Sequence, residues 1–327
     1  MIKINENTLR DGSYKVDFNV TPQQTFEITR ALDKAGLSII EIGHGLGLGA
    51  YRKLSNLENK DAQLIEAAVK AKKNAELSVF LIPGIGTKED IKQASISGIE
   101  LLRIGVNIND YEKTRHYLEY AKELGMKVAF NGMKSYAVKS YEFSKIIEEI
   151  DSWNLADMIY LVDSAGCMTP TEVKIYISEA VSIVSTPIGF HGHNNLSLAS
   201  INSITAVESG ATYIDTCIRG MGRSAGNAQT EIVIILLQKI GLYDHIDIYQ
   251  LYKIANSLIE PMMMIPQGLN SKEIHTGFSK FHSSYLPLFE KYSEKYGVEL
   301  FKLMKEVSDV NCLNPDSSLI QTIAKEL

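Results

Sequence analysis

His191 and His193, one residue apart, close a short apolar stretch, Thr186-Pro187-Ile188-Gly189-Phe190, and lead into Asn194-Asn195. In an extended strand residues i and i+2 point to the same side. Both imidazoles can therefore reach one common point at the strand's carboxyl end. Imidazole is the commonest metal-ligating side chain; the plain alternative is a surface pair, or one ring packed on an aromatic. A second stretch, Asn7-Thr8-Leu9-Arg10-Asp11-Gly12, offers a carboxylate, a guanidinium and a turn-forming glycine just after an apolar segment. Asp11, His191 and His193 together make a facial set of three ligands that leaves positions open for water and substrate. Such a set suits Mn²⁺, Fe²⁺ or Mg²⁺, and Zn²⁺ less well. Mn²⁺ is the expected ion, with Mg²⁺, Co²⁺ or Zn²⁺ as alternatives. Asn195 is a further oxygen ligand, an outer residue orienting the ligands, or a helix cap.

Arg10 stands next to a ligand, where a guanidinium can fork onto a substrate carboxylate or stabilise an enolate oxygen. Glu41 falls in the middle of a β-branched run, Leu37 to Gly43. A carboxylate buried there is costly unless paired, so an ion pair with Arg10 is expected and Glu41 acts by orienting it. Gly220-Met221-Gly222-Arg223-Ser224-Ala225-Gly226-Asn227-Ala228 reads either as a phosphate-cradling loop or as a tight turn under the substrate; glycine spacing alone does not decide.

The elements that must position these residues alternate. Strand-like runs at Ile2–Asn5, Leu37–Gly43, Leu77–Ile82, Glu100–Gly105, Lys127–Asn131, Met158–Asp163, around His191 and at Thr212–Cys217 are separated by helix-like segments. Thr21-Pro22 and Thr169-Pro170 start two of those helices with a capping residue and a first-turn proline. The strands are nearly all apolar, as when both faces are buried. About eight strand–helix units fit a closed (β/α)8 TIM barrel better than an open sheet. Arg10, Asp11, Glu41, His44, Asn131, Asp163, Ser164, His191, His193 and Asp215 would then gather at the carboxyl-terminal rim, where barrel active sites lie. The rhythm changes after Gln267. The expected division is a barrel over 1–266 and a small C-terminal helical domain over 267–327, with helices at Phe281–Tyr296, Leu300–Val307 and Ser317–Leu327, suited to docking a partner or to dimerisation.

The 327 residues, 45% hydrophobic and 22% charged, can bury a full core. A net charge of −6 argues against a nucleic-acid partner. Three cysteines, with no Cys-x-x-Cys pair, make no disulfide framework. No run of 18 apolar residues and no apolar leader occurs, so a cytoplasmic protein without a membrane partner is expected.

Thr8-Leu9-Arg10-Asp11-Gly12, Glu41, Val162-Asp163-Ser164-Ala165-Gly166, His191-Gly192-His193-Asn194-Asn195 and the Gly220–Ala228 loop resemble the DRE-TIM metallolyases (the HMGL-like enzymes). The Asp-Arg-Glu of that name would be Asp11, Arg10 and Glu41. Asn194-Asn195 and the helical tail look most like the 4-hydroxy-2-oxovalerate aldolase branch. The resemblance implies a lyase that cleaves or forms a 4-hydroxy-2-oxo acid through a pyruvate enolate and an aldehyde. It also implies a divalent metal, Ser164, His44 and Asn227 beside the substrate, and a tail that docks an acylating aldehyde dehydrogenase. A homo-oligomer or a heterocomplex is expected.

Three positions depart from the branch. Tyr14 stands where these aldolases carry a histidine taken as the base, and with a pKa near 10 it is a poor base. His282, in His282-Ser283-Ser284, stands where the branch has a tyrosine. The two have exchanged places, with His282 (or His44) as base and Tyr14 as hydrogen-bonding group. Leu46 replaces an acidic residue, which points to a different aldehyde, larger or phosphorylated. Two other readings stay open: a Claisen-type acyltransferase joining acetyl-CoA to a 2-oxo acid, and a catalytically silent barrel serving as a partner subunit.

Overall fold

The structure, a computed structural model, describes residues 2–54 and 61–327. Eight parallel strands close a barrel in sequence order: β1 (Lys3–Glu6), β2 (Ile39–Ile42), β3 (Glu76–Leu81), β4 (Leu101–Asn107), β5 (Lys127–Met133), β6 (Met158–Asp163), β7 (Ile188–Gly192) and β8 (Tyr213–Thr216). Closure pairs Asn5 of β1 with Asp215 of β8. Helices α1 (Pro22–Lys34), α2 (Asp61–Ala71), α3 (Lys88–Ile96), α4 (Arg115–Glu123), α5 (Ser140–Ser152), α6 (Pro170–Ile183), α7 (Ala199–Glu208) and α8 (Thr230–Lys239) surround it. Thr21, Thr87 and Thr169 each cap a helix through a reciprocal capping box, which satisfies amides the first turn leaves unpaired. This is the expected (β/α)8 barrel, with α9 (Ile248–Ile254), α10 (Ser271–Phe278), α11 (Leu286–Tyr296), α12 (Leu300–Val310) and α13 (Ser317–Glu326) following it.

The barrel wall follows strand alternation. Outward residues such as Ile40, Leu102, Phe130, Leu161 and Ile214 join the main apolar core under the helices. Inward, Ile39, Leu101, Ala129 and Met158 form a small apolar layer at the strands' amino ends. Two residues further along the same strands the interior turns polar: Glu41, Arg103, Asn131 and Tyr160, joined by Asn5, Ser78 and Asp215, all essentially inaccessible. The expectation of strands apolar on both faces therefore holds for the outer face and for this inner layer, and fails at the polar layer above it. Tyr160 has room because β7 carries Gly189 beside it; a Cβ there would lie 2.6 Å from the Tyr160 ring.

Residues Ile108–Thr114 form a 3₁₀ turn before α4 begins. One helix start differs from the sequence reading. Ser283–Tyr285 form another 3₁₀ turn before α11, which starts at Leu286 with Pro287 in its first turn. Phe281 is buried with Phe289, Tyr292, Leu303, Val307 and Ile320 in a separate apolar cluster of the C-terminal helices. Among the described residues no helix is long and apolar enough to cross a membrane.

Candidate active site

Glu6 organises the rim at the end of β1. Its carboxylate accepts from the Thr8 amide (3.1 Å), the Thr8 hydroxyl and the Ile218 amide (2.9 Å). It thereby joins the loop after β1 to the loop after β8. Burial raises its pKa to about 7, against those hydrogen bonds. The chain then turns back, with the Arg10 and Gly12 amides donating to the Asn7 carbonyl, and presents Arg10 and Asp11 inward.

Asp11, His191 and His193 converge, with one ligand atom from each lying within 4.8 Å of the others. The Nε2 atoms of the two histidines are 3.4 Å apart, and Asp11 Oδ2 is 3.6 Å from His191 Nε2. His191 Nδ1 donates to Asp215 Oδ2 at 2.9 Å, which leaves the lone pair on Nε2. His193 Nε2 accepts from Arg223 Nη2 at 3.2 Å, so its lone pair is also on Nε2. Burial and the Arg223 charge push His193 well below the ordinary histidine pKa, so it is neutral. Burial alone would raise Asp11, but the Arg10 guanidinium above all, with Arg223 beyond it, holds it well below the carboxylate range. Asp11 Oδ1 is buried with no hydrogen-bond partner. Acceptor atoms facing one another with no hydrogen between them repel unless a cation lies among them, and the donor set fits a divalent ion.

Behind the triad runs a chain of buried charge. Arg10 Nη1 meets Asp11 at 3.1 Å and Arg10 Nε meets Glu41 Oε2 at 2.6 Å. Glu41 Oε1 then accepts from Arg103 Nη1 at 2.9 Å, and Arg103 Nη2 reaches Asp215 Oδ2 at 2.5 Å, the same oxygen that orients His191. The expected Arg10–Glu41 pair is therefore half of a larger network. The Arg10 guanidinium also lies 4.5 Å from the Phe80 ring centroid, and that of Arg103 4.5 Å from Tyr160.

A cavity of about 220 Å³ opens above these residues, lined by the triad, Arg10, Arg103, Asn131 and Ser164 from the barrel, by Tyr14 and Leu46 from its loops, and by His282 and Ser284 from the tail. Tyr14 lies over Gly45, where a Cβ would stand 2.2 Å from its ring. Burial pushes its hydroxyl above the ordinary tyrosine pKa, only partly opposed by Arg223 and Arg10, so Tyr14 keeps its proton. Burial, Arg223 and Lys134 push His282 well below the ordinary histidine value, so it stays neutral. His282 Nδ1 sits 2.7 Å from the Ser284 hydroxyl.

Two expected site residues stand elsewhere. His44 is fully buried, does not line the cavity, and lies with Nε2 3.7 Å from Asp61 Oδ1. Asn227 is turned into its own loop, donating to the Met221 carbonyl at 3.2 Å and to Cys217 Sγ at 3.3 Å. That loop closes on itself: the Asn227 amide donates to Gly220, Gly226 to Arg223 and Ala228 to Gly192. With those amides engaged, the loop is a tight turn that delivers Arg223 into the cavity. Asn195 donates to Thr276 Oγ1, the Glu273 carbonyl and Ser224 Oγ, pinning α10; it is Asn194 that caps α7, at Ala199. Arg103, Lys134 and Arg223 were not singled out from the sequence. Arg103 had a signal, since a charged residue inside an apolar strand run calls for a partner as Glu41 did.

Fold and site together define a (β/α)8-barrel lyase of the aldolase type. A family profile described as HMGL-like matches residues 1–258, and the chain belongs to that family. It is 35% identical over 327 residues to a 4-hydroxy-2-oxovalerate aldolase of Carboxydothermus hydrogenoformans, covering 100% of this chain and 97% of that one. A 4-hydroxy-2-oxovalerate aldolase of Bacillus thuringiensis is 36% identical over 330 residues, covering 100% and 96%. The carboxyl transferase domain from Rhizobium etli pyruvate carboxylase superposes with a TM-score of 0.82 at 15% identity, over 99% of this chain and 60% of that one, and shares the fold.

Proposed function

We propose that this chain is a divalent-metal-dependent aldolase that cleaves or forms a 4-hydroxy-2-oxo acid, with pyruvate and an aldehyde as the products of cleavage. Residues 1–266 act as the catalytic barrel and 267–327 as a C-terminal helical domain that lends His282 to the cavity. The observation that carries the reading is the buried all-acceptor set of Asp11, His191 and His193 beside Arg10. A divalent ion held there, Mn²⁺ by preference, with Mg²⁺, Co²⁺ or Zn²⁺ as alternatives, would supply Lewis-acid polarisation of the 2-oxo group.

The chain's own residues do the rest. Ser164 holds the substrate carboxylate, and Arg10, locked by Glu41, stabilises negative charge as it develops on the enolate oxygen. Neutral His282 accepts from the Ser284 amide at Nδ1, so its lone pair is there, and it takes the proton of the 4-hydroxyl at Nδ1 through the Ser284 hydroxyl 2.7 Å away. The C3–C4 bond breaks, its electron pair passes into the enolate, the aldehyde carbonyl forms, and the proton held by His282 then returns to C3 to give pyruvate. Tyr14, protonated, supplies a hydrogen bond to the 4-hydroxyl oxygen. This is the exchange of roles between Tyr14 and His282; His44, turned to Asp61, takes no part. An acylating aldehyde dehydrogenase docked on the tail helices, or a second copy of the chain, completes the proposal and would be read by co-purification and sedimentation.

The test is pyruvate release from a panel of 4-hydroxy-2-oxo acids, coupled to lactate dehydrogenase, with and without Mn²⁺. Metal-dependent release supports the reading, and none from any substrate by the metal-loaded protein refutes it. His282→Ala should abolish turnover with metal content unchanged; undiminished turnover ends the exchange of roles.

A further inference from the structure

Two cations line the cavity without a carboxylate. Lys134, at the end of β5, is buried with a left-handed backbone (φ 57°), its amide donating to Ser164 Oγ at 3.0 Å. Its Nζ donates to the Leu313 carbonyl at 2.7 Å and to Asn314 Oδ1 at 3.2 Å, and lies 5.3 Å from the Tyr285 ring centroid. Arg223 donates to the Ser283 hydroxyl, to the Ser164 carbonyl at 3.1 Å and to His193 Nε2 at 3.2 Å. Neither is in an ion pair among the described residues, whereas Arg10 and Arg103 are both matched to carboxylates.

A buried lysine is ordinarily paired. Here all the partners of Lys134, and of the half-buried Arg223, are neutral dipoles. Among charges that line the cavity or pair with those that do, four cations (Arg10, Arg103, Lys134, Arg223) face three carboxylates (Asp11, Glu41, Asp215). A cavity of about 220 Å³ that walls in this excess is charged for an anion. A divalent ion on the triad would raise the excess from one positive charge to three, and the 2-oxo acid head supplies one negative charge. That head meets Ser164, Arg10 and the triad, and leaves Arg223. Lys134 remains as well, with the Ser284 hydroxyl also lining the cavity. The strain on the mutually repelling pair shows in Lys134, whose pKa burial and Arg223 lower to about 8.

We propose that the aldehyde half of the substrate carries an acidic group, a carboxylate or a phosphate, received by Lys134 and Arg223. This rests on the aldolase reading and narrows its substrate class. A neutral short aldehyde leaves both cations facing an apolar chain, whereas an acidic one gives each a charge-assisted hydrogen bond.

Binding tests it without turnover. Matched pairs of unreactive 2-oxo acids of increasing chain length, one ending in methyl and the other in carboxylate or phosphate, are titrated calorimetrically into the Mn²⁺-loaded protein. At the fitting length the acid-ended member should bind about tenfold to a hundredfold tighter, as for a hydrogen bond to a charged group, with an advantage that shrinks as salt rises. Lys134→Arg should keep the advantage and Lys134→Met should lose most of it. Should Lys134→Met fail to fold, the wild-type pairs and their salt dependence still decide. Equal or weaker binding of every acid-ended member overturns the proposal. The matching 4-hydroxy-2-oxo acids separate the two readings: pyruvate from methyl-ended substrates with no acid preference sinks this inference alone, and no pyruvate from any substrate sinks the aldolase reading while the binding data stand.

Discussion

Replacing Arg103 with methionine is the most direct challenge to the charge network. Arg103 is 1% exposed and reaches Glu41 Oε1 at 2.9 Å, Asn131 Oδ1 at 2.9 Å and Asp215 Oδ2 at 2.5 Å. Methionine fills similar volume but leaves Asp215 without a cation and Glu41 with Arg10 alone. Breaking a buried pair on one side costs about 3–5 kcal/mol, because a carboxylate remains buried and unpaired. Against a total stability of about 5–15 kcal/mol the variant should fold, but weakly. The midpoint should fall by roughly 4–7 °C, given an unfolding entropy of about 2.1 cal/mol/K per residue. In the double variant Arg103→Met with Asp215→Asn the orphaned charge is gone, and the combined loss should be smaller than the sum of the single losses by about 1–3 kcal/mol.

The pH dependence has a definite sign. In the native protein burial works to raise Asp215, but Arg103 and His191 hold it well below its ordinary value. A depressed carboxylate stabilises the fold above its unfolded pKa of about 3.9 and loses that contribution as pH falls. Without Arg103 burial dominates and the folded pKa rises above the unfolded one, so a penalty grows as pH climbs past about 4. The gap between wild type and variant, measured by denaturant unfolding, should therefore be wider at about pH 8 than at about pH 5. A loss below about 1 kcal/mol, additive single effects, or a gap that narrows with pH would refute the reasoning.

Three further outcomes follow from the same geometry. Asp215→Ala removes the acceptor that orients His191 and should weaken metal binding about tenfold to a hundredfold in chelator competition; unchanged affinity would show that His191 needs no such support. Gly45→Ala forces a Cβ to within 2.2 Å of the Tyr14 ring; the displaced ring should lower kcat up to about a hundredfold with metal content intact, and unaltered kcat would remove Tyr14 from the reaction. Saturating metal, at about a hundred times its Kd, should stabilise the protein by about 2.7 kcal/mol, an increment that His193→Ala abolishes and that differential scanning calorimetry reads directly.

What the sequence made legible was whatever rests on short-range periodicity. The spacing of His191 and His193 gave two ligands on one strand face, and the alternating elements gave the barrel that brings Asp11 to them. The misreadings have a common cause. His44 sits in a glycine-rich loop, Gly43 to Gly49, whose path is set by tertiary packing, and it turns to Asp61 instead of the cavity. Asn194 and Asn195 are alike in sequence, yet one caps α7 and the other holds α10, 81 residues away at Thr276. Arg103 finds Asp215 at a separation of 112 residues. Lys134 meets the tail at 179. No local pattern encodes such partners.

The inner layer of the barrel explains why those long-range partners are obligatory. A barrel of this kind is commonly filled by apolar side chains, branched ones above all, and the layer of Ile39, Leu101, Ala129 and Met158 is apolar throughout. One step up each strand the same inward face carries Glu41, Arg103 and Asn131, with Asp215 across from them. An isolated charge there would be prohibitive. The charges instead alternate, Asp11, Arg10, Glu41, Arg103, Asp215, and pass through His191 back to within 3.6 Å of Asp11. Only at that last step do acceptors face acceptors. The charges of the circuit are therefore matched everywhere except at the rim, and the same residues that let a polar layer sit inside the barrel leave one opening, at the cavity, that a cation completes.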